Sequence, residues 1–303
     1  MHAAGTIAAP DPALLEPSTA YPGNSLPRVS PGGRTPLRAY AAAFAAGDTR
    51  PRVAILVAGV GMNEAESTAA IENLPAAVAF AVTPYSGTLD PVLEGARAHG
   101  HELLVSIPME PQGFPLNDPG DRALLTGAAP EVNAQRLEWA LTRFSGYVGA
   151  TGAMGDMRGE RFAAAADEML PLLQDLAGRG LLYVDPRPNA MRLAISHAPK
   201  IAFRGVDLVL DDPGGAAELD RSLARLEQIG RDRGSALGLV GRPSPVAVDR
   251  IAVWAAGLPA RGLALAPVSV LAQMPPVPRA PFPSALATPL PPSSPPTRIA
   301  VSP

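Results

Sequence analysis

Apolar runs alternate with helical periods along the middle of the chain. The first run, residues 53–58, is entirely apolar and leads into a Gly-x-Gly turn at residues 59–61. Such a run is typical of a buried strand in a parallel sheet. A helix pattern follows at once, with Asn63 as its cap and with Glu64 and Glu66 in its first turn, where carboxylates suit the helix dipole. This stretch therefore predicts a strand, a glycine turn and a helix.

The alternation continues to residue 266. Further strands are predicted at residues 76–82, 102–107, 147–150, 181–185, 200–203, 206–210, 235–240 and 263–266. Helices are predicted at residues 88–98, 131–144, 162–177, 190–198, 216–229 and 246–256. Pro171 lies inside one of these helices and is expected to kink or restart it. Strands that alternate with helices indicate a parallel sheet covered by helices, either doubly wound or closed into an α/β barrel.

Proline marks the two ends of the chain. Residues 1–51 and 267–303 hold 20 of the 36 prolines, mixed with Ser, Gly, Ala and Thr and without an apolar period. This composition is typical of disordered linkers. The sequence thus predicts a disordered Pro-rich tail at residues 1–51, one α/β domain at residues 52–271 and a second disordered tail at residues 272–303.

Composition and charge narrow the range of functions. The chain has 303 residues, 47% of them hydrophobic, and a formal charge of −3, so it can bury one large core and nucleic acid is not an expected partner. The absence of Cys excludes disulfides, thiolate metal sites and a Cys nucleophile. No stretch approaches the roughly 20 apolar residues of a membrane span, and no basic region precedes an apolar signal core. Neither a membrane span nor an export signal is therefore predicted.

The glycine turn is only a partial match to the dinucleotide-binding fingerprint. Gly59 and Gly61 supply the first two glycines, but Glu64 stands where the third is needed. No acidic residue ends the second strand, where Thr83 stands instead. We therefore do not expect a nicotinamide or flavin cofactor.

Six segments distinguish the chain more specifically. They are VAILVAGVG at residues 53–61, GHELLVSIPMEP at 100–111, YVGATGAMGDMRGERF at 147–162, RGLLYVDPRP at 179–188, FRGVDLVLDD at 203–212 and GLVGRPSP at 238–245. In this order and spacing they resemble the divergent polysaccharide deacetylases of Gram-negative bacteria, over about residues 52–271. The resemblance implies a deformed (β/α) barrel of about seven parallel strands, with the active centre at the carboxyl ends of the strands. It also implies a periplasmic or cell-envelope location.

The chemistry implied by this resemblance needs a divalent metal such as zinc, bound by Asp and His, that polarises an acetyl carbonyl and activates water. Small or basic residues stand where the family has its paired Asp and its His: Ala58, Gly59, Ser106, Ala153, Arg242 and Ser244. Asp185 is the one acid that still falls on a family position. We therefore predict no metal, no other cofactor and no catalytic residue, with Asp185 as the candidate if activity remains.

Two kinds of metal site can be considered, a nitrogen-rich site and an all-oxygen site. The four His residues, at positions 2, 99, 101 and 197, do not form a nitrogen-rich site, because His99 and His101 precede a strand and lie at the wrong end of the barrel. An all-oxygen site remains conceivable, since hard cations accept carboxylates; its ligands would be Glu110, Asp156, Glu160 and Asp185. The simpler interpretation is that Asp156 and Glu160 flank a helix start and serve its dipole.

Three arginines offer a different interpretation of the same end of the barrel. Arg158, Arg187 and Arg242 each follow a predicted strand end, so with Asp185 they could bind an anionic glycan through bidentate hydrogen bonds. The competing interpretation is that each arginine pairs with a nearby acid, among Asp156, Asp185, Asp211 and Asp212, and merely closes the barrel top.

Other side chains carry weaker signals. Ser106 ends a strand, but the chain has no Gly-x-Ser-x-Gly elbow and no His placed as a base. Tyr85 and Phe114 lie in loops where they could stack on a sugar ring. Trp139 is more simply a core or helix-packing residue.

Three hypotheses follow. The first is a degenerate deacetylase-like protein that binds a glycan, or an envelope protein, without catalysis. The second is an active carbohydrate deacetylase that removes N- or O-acetyl groups from an acetylated saccharide through a rebuilt carboxylate site. The third is a purely structural protein, whose Pro-rich tails act as spacers between it and another envelope component.

Overall fold

A computed structural model describes residues 5–45, 47–87, 89–188, 201–211 and 215–273. Its strands are β1 (Leu15–Pro17), β2 (Ser25–Pro27), β3 (Arg52–Val60), β4 (Ala79–Val82), β5 (Leu103–Ser106), β6 (Gly149–Thr151), β7 (Leu182–Asp185), β8 (Ala202–Gly205), β9 (Leu208–Val209), β10 (Ser235–Val240) and β11 (Ala264–Leu265). Its α-helices are α1 (Pro36–Ala39), α2 (Glu64–Asn73), α3 (Asp90–Ala98), α4 (Pro130–Leu141), α5 (Glu160–Ala164), α6 (Ala166–Gly178), α7 (Ala216–Arg233), α8 (Pro245–Gly257) and α9 (Val268–Ala272).

The main sheet is parallel and nearly closes on itself. Its strand order is β8-β7-β6-β5-β4-β3-β10-β9, and β11 pairs with β3. The two edge strands, β8 and β9, are separated by only residues 206 and 207. The Val206 amide donates to the Asp185 carbonyl on one side, and the Asp207 amide donates to the Leu237 carbonyl on the other, both at 2.9 Å. One stretch of chain thus brings the two edges together, which confirms the predicted deformed barrel.

Alternate residues of the strands face opposite layers. On β3, Val53, Ile55 and Val57 belong to the core beneath the helices. Ala54 and Leu56 belong to a second core inside the barrel, together with Leu104, Leu182 and Leu237 of other strands and similar inward residues. A period of two therefore separates an outer from an inner core, and side chains fill the inside of the barrel.

The N-terminal segment, residues 5–45, contradicts the prediction of a disordered tail at residues 1–51. Ile7, Leu14, Leu37 and Tyr40 are buried in the same core as the inward-facing strand residues. The Ile7 amide donates to the Arg97 carbonyl at 2.9 Å, and the Leu37 amide donates to the Gly180 carbonyl at 3.3 Å. Both carbonyls precede strands, so this segment closes the amino-terminal end of the barrel.

The prolines of this segment explain why the prediction was wrong. Pro12 begins a 3-10 turn after Asp11, whose side chain accepts a hydrogen bond from Ala13, and Pro36 begins α1 after the cap residue Thr35. Proline is well suited to the first position of a helix because its missing N–H would have no partner there. Proline composition alone does not distinguish such turns from disorder.

Glu102 joins the N-terminal segment to the barrel and to α9. Its carboxylate is fully buried and accepts hydrogen bonds from the Ala42 amide at 3.0 Å, from the Ser269 amide at 3.0 Å and from the Ser269 hydroxyl. Burial raises the pKa of Glu102, while these hydrogen bonds oppose that shift. The amino-terminal end of the barrel, which we call the floor, is therefore closed and has the buried carboxyl group of Glu102 at its centre.

The helix predictions differ in how well they agree with the structure. Asn63 caps α2 as expected, its side chain accepting from the Glu66 amide at 3.0 Å. The helix predicted at residues 162–177 is divided into α5 and α6 at Ala165, whereas Pro171 lies within α6. The helix predicted at residues 190–198, His2, His197 and residues 274–303 lie outside the described residues. Among the described helices, none is both long enough and apolar enough to cross a membrane.

Candidate functional site

The loops at the carboxyl ends of the strands form the barrel mouth, and glycines allow them to meet. Gly59 has a φ of +69°, and a Cβ added there would lie 2.8 Å from the Gly241 carbonyl oxygen and 3.6 Å from Arg242 Cγ. A Cβ added at Gly241 would lie 2.7 Å from Asp156 Oδ1 and 3.1 Å from Asp211 Oδ1. The loops after β3, β6, β9 and β10 therefore converge on one place.

Arg158 is paired with an acid from another strand end. Its Nη2 lies 2.6 Å from Asp211 Oδ2, and a weaker contact of 3.9 Å joins its Nη1 to Glu160. The second carboxylate oxygen of Asp211 accepts from the Gly241 amide at 3.1 Å. Arg158 and Asp211 thus tie three loops together, as in the interpretation in which arginines close the barrel top.

Arg187 and Asp185 form a pair of their own. Arg187 Nε and Nη2 donate to the two oxygens of Asp185 at 3.0 and 2.7 Å, and the Arg187 amide adds a third hydrogen bond at 3.0 Å. Burial lowers the pKa of Arg187, but the hydrogen bonds and the charge of Asp185 outweigh it and leave that pKa above its usual value. The charge of Asp185, the candidate catalytic acid of the sequence analysis, is therefore neutralised by the arginine two residues away.

Glu110 and Glu160 fix the long loop between β5 and α4. Glu110 is buried; its Oε2 accepts from the Thr126 amide and hydroxyl, both at 2.7 Å, and its Oε1 lies 3.0 Å from Arg161 Nη1. Glu160 is the first residue of α5 and accepts from the Gln112 amide at 3.2 Å. These contacts give both carboxylates a structural role.

The candidate metal ligands do not fit a divalent metal. Within the described ranges, no three or more His, Cys, Asp or Glu side chains are grouped so that they could hold an ion. Asp156 is exposed and lies near Asp211, while Glu110 and Asp185 are each held by an arginine. A guanidinium bound to a carboxylate opposes a second cation on the same oxygens.

Ser106 and Arg242 have side-chain hydrogen-bonding capacity that no described residue uses, and the buried Nε of Arg158 is in the same state. Ser106 is fully buried at the end of β5, in register with Thr151 of β6, and its hydroxyl has no partner among the described residues. Arg242 is exposed beside Gly59 and makes no ion pair within the described part of the chain. Arg242 is therefore an accessible cation at the mouth, whereas the Ser106 hydroxyl is buried away from solvent.

His99 and His101 lie before β5, at the amino-terminal end of the barrel. His101 is fully buried, with Nδ1 2.9 Å from the Val78 carbonyl and Nε2 3.1 Å from the Ile71 carbonyl. His99 is exposed, and its Nδ1 lies 2.9 Å from the Gly95 carbonyl. Both contacts are structural and far from the strand ends that form the mouth.

Sequence reasoning missed an aromatic and arginine cluster next to the mouth. Tyr85 is 36% exposed, but its ring packs against Trp139 with 5.0 Å between the ring centroids. Arg122 and Arg143 lie over the Trp139 ring at 5.8 and 5.6 Å from its centroid. The spacing of four between Trp139 and Arg143 is a signal for this contact, whereas nothing local predicts that Arg122 joins them.

Comparisons with known proteins agree with the fold. A family model described as divergent polysaccharide deacetylase matches residues 55–272. An uncharacterised protein of Haemophilus influenzae is 28% identical over 211 residues, which cover 68% of this chain and 71% of that protein. The uncharacterised protein YibQ of Escherichia coli is 25% identical over 179 residues, covering 58% of this chain and 53% of YibQ.

A solved structure supports the same assignment. The crystal structure of the uncharacterised protein ATU2773 from Agrobacterium tumefaciens C58 is similar over 82% of this chain and 99% of that chain, with 33% identity and a TM-score of 0.75. The family model covers well over half of the sequence, including every strand of the barrel from Ile55 of β3 onwards. The chain therefore belongs to the divergent polysaccharide deacetylase family.

Proposed function

We propose that this protein is a non-catalytic member of its family that binds a saccharide at the barrel mouth and acts in the cell envelope. The observation that carries the proposal is the state of Asp185, whose two oxygens already accept three hydrogen bonds from Arg187. Metal-dependent deacetylation needs a carboxylate that is free to bind or activate. Family membership supports the link to carbohydrate and to the envelope, as an inference from the fold rather than from the site.

The composition of the mouth supports binding rather than hydrolysis. Arg242 is exposed at the mouth and offers charged donors that no described residue uses. Gly59 and Gly241 lie beside it and add no side chain between the loops. Hydroxyl and acetamido groups of a sugar can accept hydrogen bonds from a guanidinium.

The first experiment measures metal content and hydrolysis together. Protein purified without chelator is incubated with zinc, cobalt or manganese, desalted and subjected to elemental analysis. We expect near-zero occupancy and no release of acetate from tetra-N-acetylchitotetraose or from an O-acetylated xylan oligomer. About one ion per chain together with acetate release that Asp185→Ala abolishes would overturn the proposal and restore the active deacetylase.

The second experiment tests binding at the mouth. Isothermal titration with tetra-N-acetylchitotetraose is compared between the unsubstituted protein, Arg242→Ala and the control Arg225→Ala, which removes an exposed arginine of α7. A hydrogen bond from a charged donor contributes roughly 1.5–3 kcal/mol, so Arg242→Ala should weaken binding by about tenfold or more and the control should not. Equal affinities in all three proteins would contradict a saccharide site at Arg242.

A further inference from the structure

The cluster of Tyr85, Arg122, Trp139 and Arg143 has the composition of a ligand site. The two guanidinium groups lie over one indole, and the Tyr85 ring is tilted by 47° against the same indole. Arg122 and Arg143 are both exposed, and Trp139 is half-buried. Two cations and two aromatic rings therefore meet at one accessible place on the surface.

Hydrogen bonds order the segments that carry these side chains and leave the terminal nitrogens of both arginines unused. The Tyr85 hydroxyl accepts from the Arg122 amide at 3.1 Å, which fixes the loop after β5 against the turn after β4. Arg143 Nε donates to the Pro84 carbonyl at 2.9 Å, which fixes the end of α4 against the same turn. A cluster that is already ordered loses less conformational entropy when a ligand binds.

The terminal nitrogens of both arginines remain available. Those of Arg143 make no hydrogen bond to the described residues, and Arg122 has one distant ionic contact, 3.5 Å from its Nε to the 79% exposed Asp121. Elsewhere the chain pairs arginines closely with acids, as in Arg187 with Asp185 and Arg250 with Asp220. The cluster thus presents two guanidinium groups whose terminal nitrogens can donate to a carboxylate, and Asp121 at 3.5 Å is the acid that competes for Arg122.

We propose that this cluster is a binding site for a saccharide that carries carboxylate groups, such as a uronic acid oligomer. Arg122 and Arg143 bind the carboxylates, while the exposed part of the Tyr85 ring contacts the apolar face of a sugar ring. The site uses neither Ser106 nor Arg242, so it does not depend on the proposed function. Substituting Arg242 is expected to leave it unchanged.

The chain allows a direct optical test, because it contains only two Trp residues. In Trp254→Phe the tryptophan fluorescence, excited selectively above the absorption of Tyr, comes from Trp139 alone. Tetragalacturonate is the test probe, tetra-N-acetylchitotetraose is the neutral control and tetraglutamate controls for charge alone. We expect saturable quenching with tetragalacturonate and at least tenfold weaker responses with both controls. Titration calorimetry on the unsubstituted protein checks that the Trp254 substitution itself has no effect.

Charge-matched variants locate the site. Arg122→Gln combined with Arg143→Gln should weaken tetragalacturonate binding at least tenfold, whereas Arg221→Gln combined with Arg225→Gln, on the exposed surface of α7, should change it less than twofold. Asp121→Asn removes a competing carboxylate beside Arg122 and should tighten binding. Equal losses in both double variants, weaker or unchanged binding in Asp121→Asn, or equal binding of tetraglutamate would overturn the proposal.

Discussion

The two ends of the barrel stabilise their carboxyl groups in different ways, by neutral hydrogen-bond donors at one end and by arginines at the other. At the amino-terminal end, Glu102 is fully buried and is satisfied by amides and a hydroxyl of the N-terminal segment and of α9. At the mouth, Asp185 and Asp211 are paired with the arginines Arg187 and Arg158. The first arrangement joins distant parts of the chain into one core, and the second fixes loops at the surface. Substitutions at the two ends should therefore differ in their cost.

The largest effect is expected from deleting residues 1–45. The deletion exposes the core that Ile7, Leu14, Leu37 and Tyr40 cover, and burying a large apolar side chain contributes roughly 1.5–3 kcal/mol. Four such side chains match most of the stability of an ordinary domain, so the shortened chain should show no cooperative unfolding transition by circular dichroism. A cooperative transition at the melting temperature of the full chain would show instead that the N-terminal segment is dispensable.

Glu102→Ala should be the next most costly change. It leaves the Ala42 amide and both Ser269 donors buried without an acceptor, and each unsatisfied buried group costs roughly 1–3 kcal/mol. We expect a loss of about 3–5 kcal/mol in the free energy of unfolding in urea, and a smaller loss for Glu102→Gln, which keeps one acceptor oxygen. A loss below about 1 kcal/mol for the alanine variant would show that water replaces the carboxylate.

The pH dependence of stability offers a third test of the floor. Because burial raises the pKa of Glu102, the folded state holds its proton to a higher pH than the unfolded state does. The carboxyl group therefore favours folding fully below its unfolded pKa, and stability declines as pH rises from that value through the folded pKa. One proton limits the slope to about 1.4 kcal/mol per pH unit. Comparing the slopes of the native protein and Glu102→Gln isolates this group, since the variant should lack its contribution.

The smallest effect is expected at the mouth. Asp211→Asn weakens the contact with Arg158, and the Asp211 side chain is 33% exposed. Partly exposed ion pairs contribute roughly 0–1 kcal/mol, so the free energy of unfolding should fall by no more than about 1 kcal/mol. A loss as large as that of Glu102→Ala would remove the distinction between a structural floor and a surface mouth.

The parts of the fold that the sequence predicted depend on local pattern. The apolar run of β3 and the Asn63 cap are both set by neighbouring residues, and the barrel followed from family segments in order. The pairing of Arg158 with Asp211 joins residues 53 positions apart, so the sequence suggested an acid partner without identifying it. The prediction of disorder in the N-terminal segment was wrong because its prolines begin turns and helices that pack against the barrel. The contact between Arg122 and Trp139 could not be predicted, because Arg122 lies in a long loop whose sequence has no periodicity.

The closure of the sheet also bears on strand pairing between molecules. A strand at a sheet edge exposes unpaired amides and carbonyls that can pair with another molecule and begin aggregation. Here the edge strands β8 and β9 have only four and two residues and follow one another along the chain. A single short passage of backbone occupies both margins of the sheet, so neither margin offers the long, flat template on which intermolecular strands assemble.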